Sequence, residues 1–250
     1  MKKIFLLLIT FISFGTFAQT PDEIFKEANS LYKEHKYEEA LEKYKSIEET
    51  GFVADDLFYN MANCYFKLEE TAPAILNYKR ALKLNPNLDD AKYNLKMAQL
   101  RTVDKIETLP VTFFVKFWNW LANILTVHQW AVFSVSMAFF TVIGFIFYFF
   151  ASSSIIKRVS FVKSITFFIL MIVSIVIAHQ QYTWETSHKD AVVMAENSYI
   201  KIAPNENSED KFILHEGTEV LVVDQVDEWF RIKLADGKIG WIYSGDVEII

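Results

Sequence analysis

Residues 111–184 contain no aspartate and no glutamate, and only four cations: Lys116, Lys157, Arg158 and Lys163. A soluble domain keeps charge on its outside, and so long a stretch without acids cannot supply one. Within it, residues 130–150 are 21 residues without a charge. As a helix they would be roughly 31 Å long, about the thickness of a hydrocarbon core. Residues 164–182 are 19 residues without a formal charge, with His179 near the end. Two transmembrane helices are predicted, with Trp130, Tyr182 and Trp184 where interfacial aromatics belong. The connector, residues 151–163, holds Lys157, Arg158 and Lys163. Short basic loops stay cytoplasmic, so both flanking parts are expected outside the cytoplasm.

Residues 1–18 carry Lys2 and Lys3, an apolar run over 4–17, and the small-x-small site Thr16-Phe17-Ala18. They read as a signal peptide, or alternatively as a retained short anchor. The expected location is a bacterial inner membrane, multi-pass, with both soluble parts on the periplasmic side. In residues 111–127, Phe113, Phe114, Phe117, Trp118, Leu121, Ile124 and Leu125 recur at helical spacing, with Lys116, Asn119 and Asn123 off the stripe. This predicts an amphipathic helix that lies in the lipid interface or docks on the N-terminal module.

The flanking parts are acidic: 17 acids against 13 bases over residues 19–110, and 14 against 6 over residues 185–250. Neither offers the basic face that nucleic acid requires. The one cysteine, Cys64, excludes an intramolecular disulfide and any cysteine-cluster metal site.

A period of 34 residues runs through the first part. Ala28 recurs as Ala62, Ala40 as Ala74, Tyr44 as Tyr78, and Ile47 as Ala81; Leu31 aligns with Tyr65 and Tyr32 with Phe66. The small residues let paired helices approach and the aromatics fill the gap. Asp55, Asp56, Asp89 and Asp90 are expected to cap helix starts, and Asn85-Pro86 to end the second unit. These residues resemble the tetratricopeptide repeat (TPR) family, with repeats at 21–54 and 55–88 and a capping helix at 89–101, where Lys96 replaces the small residue. The resemblance implies a concave peptide-binding face from the first helices: Phe25, Asn29, Tyr32, Lys33, Tyr59, Asn60, Asn63, Phe66, Lys67, Tyr93, Asn94 and Met97. Asn29 and Asn60 match the two asparagines of repeats that clamp a terminal carboxylate. Phe25, Asp90 and Asn94 stand where that clamp has its cations, so an extended peptide is favoured over a chain terminus. Tyr32, Phe66 and Tyr93 either line this groove or merely pack.

After Trp184 the pattern changes to short alternating runs broken by turns, as in a small β-barrel. The predicted strands are 191–194, 199–201, 219–225, 229–233, 240–242 and 247–250, with a polar loop over 205–210 and a tight turn at Asp236-Gly237. Trp229 and Trp241 are expected to carry much of so small a core. Gly217, Val220, Trp229, Ile232, Asp236-Gly237, Gly240 and Trp241 resemble bacterial SH3-type domains, and Tyr199 to Pro204 matches their first strand and loop loosely. That implies a ligand face of Tyr199, Trp229, Trp241 and Tyr243, used for a protein or a cell-wall peptide.

No P-loop, dinucleotide fingerprint, nucleophile elbow, kinase set or HExxH motif occurs. The histidines His35, His128, His179, His188 and His215 are scattered, so no enzyme, metal or cofactor is predicted. The fold class expected is a multidomain membrane protein: an all-α TPR solenoid, two transmembrane helices and an all-β SH3-like barrel over 189–250. This order of parts resembles the BatE-type family of the Bacteroides aerotolerance (Bat) operon. The resemblance implies a non-enzymatic scaffold in an aerotolerance or oxidative-stress complex. Its partners would be other Bat membrane proteins, some with von Willebrand A-type domains, and membrane lipid. A cell-wall sensor acting through the SH3-like part is the alternative.

Overall fold

The first helix begins where the sequence supplies both a cap and a proline. The Thr20 hydroxyl accepts from the Glu23 N–H, the Glu23 carboxylate accepts from the Thr20 N–H, and Pro21 opens helix α1 (Pro21–Lys33). The computed structural model describes residues 20–107, 109–187 and 189–250; the predicted signal peptide lies outside the described residues. The chain divides into two units, one ending at Ala98 and one running from Gln99 to Ile250.

In the first unit α1 is followed by α2 (Tyr37–Glu49), α3 (Asp55–Lys67), α4 (Thr71–Leu84) and α5 (Asp89–Gln99). The 34-residue period is visible in the backbone itself. α1 and α3 both end in left-handed residues, His35 (φ 62°) and Glu69 (φ 66°). The N–H that follows each donates back to the helix, Lys36 to the Leu31 carbonyl and Glu70 to the Tyr65 carbonyl. Ala28, Ala40, Ala62 and Ala74 have no exposed surface, and Tyr44 and Tyr78 fill the space beside them. The aspartates depart from expectation. α3 is preceded by Ala54 with no side-chain cap, and Asp55 and Asp56 sit inside its first turn. There they suit the helix dipole, and Asp55 accepts from the Asn85 side chain at 2.7 Å. On α5, Lys92 and Lys96 are exposed where α3 buries Phe58 and Ala62, so its back face is wetted as a capping helix requires.

The second unit contains α6 (Phe113–Ala122), α7 (Val127–Phe150) and α8 (Ser154–Ser187). Thr126 and Gln129 form a capping box that starts α7. α7 and α8 are long and apolar enough to cross a membrane. Only residues 151–153 separate them, so Lys157, Arg158 and Lys163 lie on the first turns of α8 rather than in a loop. With 34 residues, α8 is roughly 51 Å long, more than a bilayer core needs. The two helices meet at Gly144, where a Cβ would collide with the Ser164 hydroxyl. Ser164, Ser174 and Ile177 are buried along this seam, while Phe139, Phe147 and Ile169 face outward. α6 is tied to the hairpin: the Trp118 indole donates to Gln180 at 2.7 Å, and Gln181 and Trp130 both donate to the Ala122 carbonyl.

The C-terminal residues form β1 (Lys189–Val193), β2 (Asn197–Lys201), β3 (Asp210–His215), β4 (Glu219–Val226), β5 (Trp229–Lys233), β6 (Ile239–Tyr243) and β7 (Val247–Ile249). All pairings are antiparallel, in the order β3-β2-β6-β5-β4-β1-β7, so the sheet is open with β3 and β7 at its edges. β3 was not among the predicted strands. Gly237 takes φ 89° in the β5–β6 turn, as expected. The core is aliphatic: Val193, Ile200, Leu214, Val220, Val222, Ile232, Leu234, Ile242 and Val247. Trp229 and Trp241 are only half-buried, which corrects the expectation that they carry the core. Alternation places them on the opposite face from Ile232 and Ile242.

Candidate functional site

The predicted groove asparagines form a hydrogen-bonded ladder. The Tyr44 hydroxyl, on α2, donates to the Asn29 Oδ1 on α1 at 2.6 Å, and Asn60 Nδ2 on α3 donates to the same oxygen at 3.1 Å. One repeat later the Tyr78 hydroxyl donates to Asn63 Oδ1 at 2.7 Å, and Asn94 Nδ2 donates to it at 2.9 Å. Every partner is shifted by 34 residues, so the ladder belongs to the repeat and not to one site. Each carbonyl oxygen binds the second helix of its own repeat and the first helix of the next. Burial pushes the Tyr44 and Tyr78 hydroxyl pKa values well up, which keeps both as donors.

The aromatics follow the same register. Phe25 leans edge-on against Tyr44 at 5.6 Å, and Tyr59 meets Tyr78 at a tilt, 6.1 Å away. Tyr93 holds the equivalent place on α5, where no second helix follows, and is 65% exposed. Tyr32 packs against Tyr37 at 5.2 Å, and burial pushes its hydroxyl pKa up to about 12. Phe66 is half-buried; Lys33 and Lys67, again one repeat apart, are exposed. The ladder thus joins Asn29, Asn60, Asn63 and Asn94 into one structural row. Lys33, Lys67, Tyr93 and Met97 remain open to a ligand. Cys64 is fully buried, and burial pushes its thiol pKa up to about 12.

On the sheet, register brings the four predicted aromatics to one face. Trp229 pairs with Tyr243, and Lys201 with Trp241; Tyr199 lies two residues before Lys201 on the same side. Tyr199, Trp229 and Tyr243 line a pocket of about 380 Å³ with Lys201, Glu206, Asp210 and Asp246. Trp241 shares the face but not the pocket. Tyr243 meets Trp229 edge-on at 6.0 Å. Lys201 is paired with Asp210 at 2.6 Å, and the Ser198 hydroxyl donates to Asp246.

Sequence reasoning missed Asp104. Its carboxylate accepts from the His215 backbone N–H at 2.8 Å, the Thr218 hydroxyl at 2.6 Å and the His215 ring at 2.9 Å, which fastens Asp104 to the β3–β4 turn. Ile106 packs on the aliphatic core and the Leu109 N–H donates to the Ala235 carbonyl. Burial alone would raise the Asp104 pKa. The hydrogen bonds from the His215 N–H, Thr218 and the His215 ring outweigh it and hold the carboxyl below its ordinary value. A single aspartate in a linker gives no periodic signal by which it could be found.

Residues 56–88, which hold α3 and α4, match the tetratricopeptide repeat family. Such repeats are protein-interaction scaffolds. Over 74 residues the chain is 32% identical to sperm-associated antigen 1 of Rattus norvegicus. That stretch is 30% of this chain and only 8% of the rat protein, so the likeness reaches no further than the repeat region.

Proposed function

We propose that this protein is a membrane-tethered scaffold, without catalytic chemistry, that holds an extended segment of another envelope protein on the first-helix face of its repeats. The observation that carries this reading is the ladder. It binds the side-chain oxygens of Asn29 and Asn63 into the fold, so a ligand would be met by their amide groups, beside exposed Lys33, Lys67 and Tyr93. The α7–α8 hairpin is the tether. The cations at the start of α8, Lys157, Arg158 and Lys163, favour a cytoplasmic α7–α8 connection, with both soluble parts on the periplasmic side. Helix α6, with Phe113, Phe114 and Trp120 exposed, suits the outer lipid interface. The order of parts supports a place beside Bat-type membrane proteins.

Affinity capture from membranes with the intact chain tests this. Tyr93→Ala with Lys67→Glu should lower partner recovery several-fold while leaving the repeat's melting temperature unchanged. Undiminished recovery would reject the groove. Asn29→Ala and Asn63→Ala are unsuitable, because they dismantle the ladder itself.

The sheet supports a second reading, as an SH3-like module that binds through the face of Tyr199, Trp229, Trp241 and Tyr243. Three of these four ring systems line one pocket.

A further inference from the structure

We propose that the pocket between Tyr199, Trp229 and Tyr243 receives the guanidinium of an arginine side chain presented by a protein partner. The inference rests on reading this face as a binding surface and adds the chemistry that it selects. Its walls are ring systems from three adjacent strands, with Tyr199 53% and Tyr243 43% exposed and Trp229 half-buried. Aromatic faces attract cations, and a planar guanidinium stacks on them better than an ammonium does.

The rim is acidic. Glu206, Asp210 and Asp246 face one cation, Lys201, and that cation is already engaged by Asp210. Two carboxylates, Glu206 and Asp246, are left to meet an incoming charge. Asp246 is held in place for this. Its backbone carbonyl accepts from the Met194 and Ala195 N–H groups, and its carboxylate accepts from Ser198, which is fully buried. A guanidinium can reach two carboxylates at once through its fork of donors, whereas a neutral side chain would leave them unmatched. The excess of 14 acids over 6 bases across residues 185–250 disfavours an anionic polymer and favours a basic segment by long-range attraction. Near 380 Å³, the pocket suits one long side chain rather than a helix.

The test uses the full chain in lipid nanodiscs, labelled with 5-fluorotryptophan and observed by fluorine NMR. Trp229→Phe identifies the Trp229 signal among six tryptophans. The probes are acetyl-Gly-Arg-Gly-amide and its citrulline analogue, which keeps the shape and loses the charge. The arginine peptide should shift the Trp229 signal saturably, and the citrulline peptide should bind at least about fivefold more weakly. Asp246→Asn with Glu206→Gln should weaken the arginine peptide by a similar factor of about five, with the unliganded Trp229 signal unmoved. Equal response to both peptides overturns the proposal while leaving the face a binding surface. No saturable shift from either peptide up to about 10 mM overturns both. The repeat groove is read out separately, by partner capture.

Discussion

The hydroxyl of Tyr78 offers the sharpest test of the ladder. In Tyr78→Phe, Asn63 Oδ1 still receives Asn94 at 2.9 Å. The loss is therefore one net hydrogen bond, about 1 kcal/mol. In Asn63→Ala, the hydroxyl of fully buried Tyr78 loses its acceptor, and Asn94 retains only a 3.4 Å contact to Tyr59. One stranded buried hydroxyl and one weakened amide raise the loss to about 2–4 kcal/mol. In the double variant the orphaned hydroxyl no longer exists, so the effects fall short of their sum by about 1–2 kcal/mol. For a unit of this size each kcal/mol moves the melting temperature by roughly 4–8 °C. Cys64 provides the assay. It is the chain's one cysteine and is fully buried, so a thiol-reactive fluorophore reports opening of the repeat in the intact protein. Asn63→Ala should melt roughly 8–32 °C low, and the double variant no lower than that. A strictly additive double variant would refute the shared bond. The cycle at Tyr44 and Asn29 should give the same sign.

Three further outcomes follow from the second unit. Because the folded pKa of Asp104 is lowered, the clamp's contribution is complete above the unfolded value, about 3.9, and is lost as pH falls through the folded pKa. Protection of the His215 amide hydrogen, measured against its intrinsic exchange rate, should therefore fall below about pH 4. Asp104→Asn should lower that protection at neutral pH and remove the acid step. Gly144→Leu, which drives a side chain into Ser164, should destabilise the α7–α8 hairpin by about 1–3 kcal/mol in a micelle refolding titration, and Gly144→Ala with Ser164→Gly should recover part of that loss. A cysteine in place of Lys157 should react with a membrane-impermeant maleimide only from the cytoplasmic side; labelling from the opposite side would invert the proposed topology.

Much of the helical unit was legible because its signal recurs. Alanines at Ala28, Ala40, Ala62 and Ala74 mark close helix approaches, and the 34-residue spacing holds them in register. The chemistry of the asparagines was not legible. Asn29 and Asn60 read as ligand groups, yet their oxygen and amide meet each other across a repeat boundary, a contact that only stacking creates. Strand β3 escaped notice because an edge strand buries little: of Asp210–His215, only Leu214 is fully buried, so no clean alternation appears. The first turns of α8 read as a loop because hydropathy marks where a helix meets lipid, not where it starts. The tryptophans of the sheet read as core because large aromatics usually are, but Ile200, Ile232 and Ile242 fill that place and turn Trp229 outward. Asp104 had no pattern to betray it; its role exists only once the β3–β4 turn is built.

The central claim is that the first-helix face of the repeats holds a protein. A photo-crosslinking residue placed at Tyr93 in the intact chain, in native membranes, tests it most directly. A second crosslinker at Glu42, exposed on α2, serves as the comparison. The account predicts a discrete protein adduct from Tyr93, lost when Lys33 and Lys67 are both changed to Glu, and none from Glu42. The same adducts from both positions, or none from Tyr93, would contradict it.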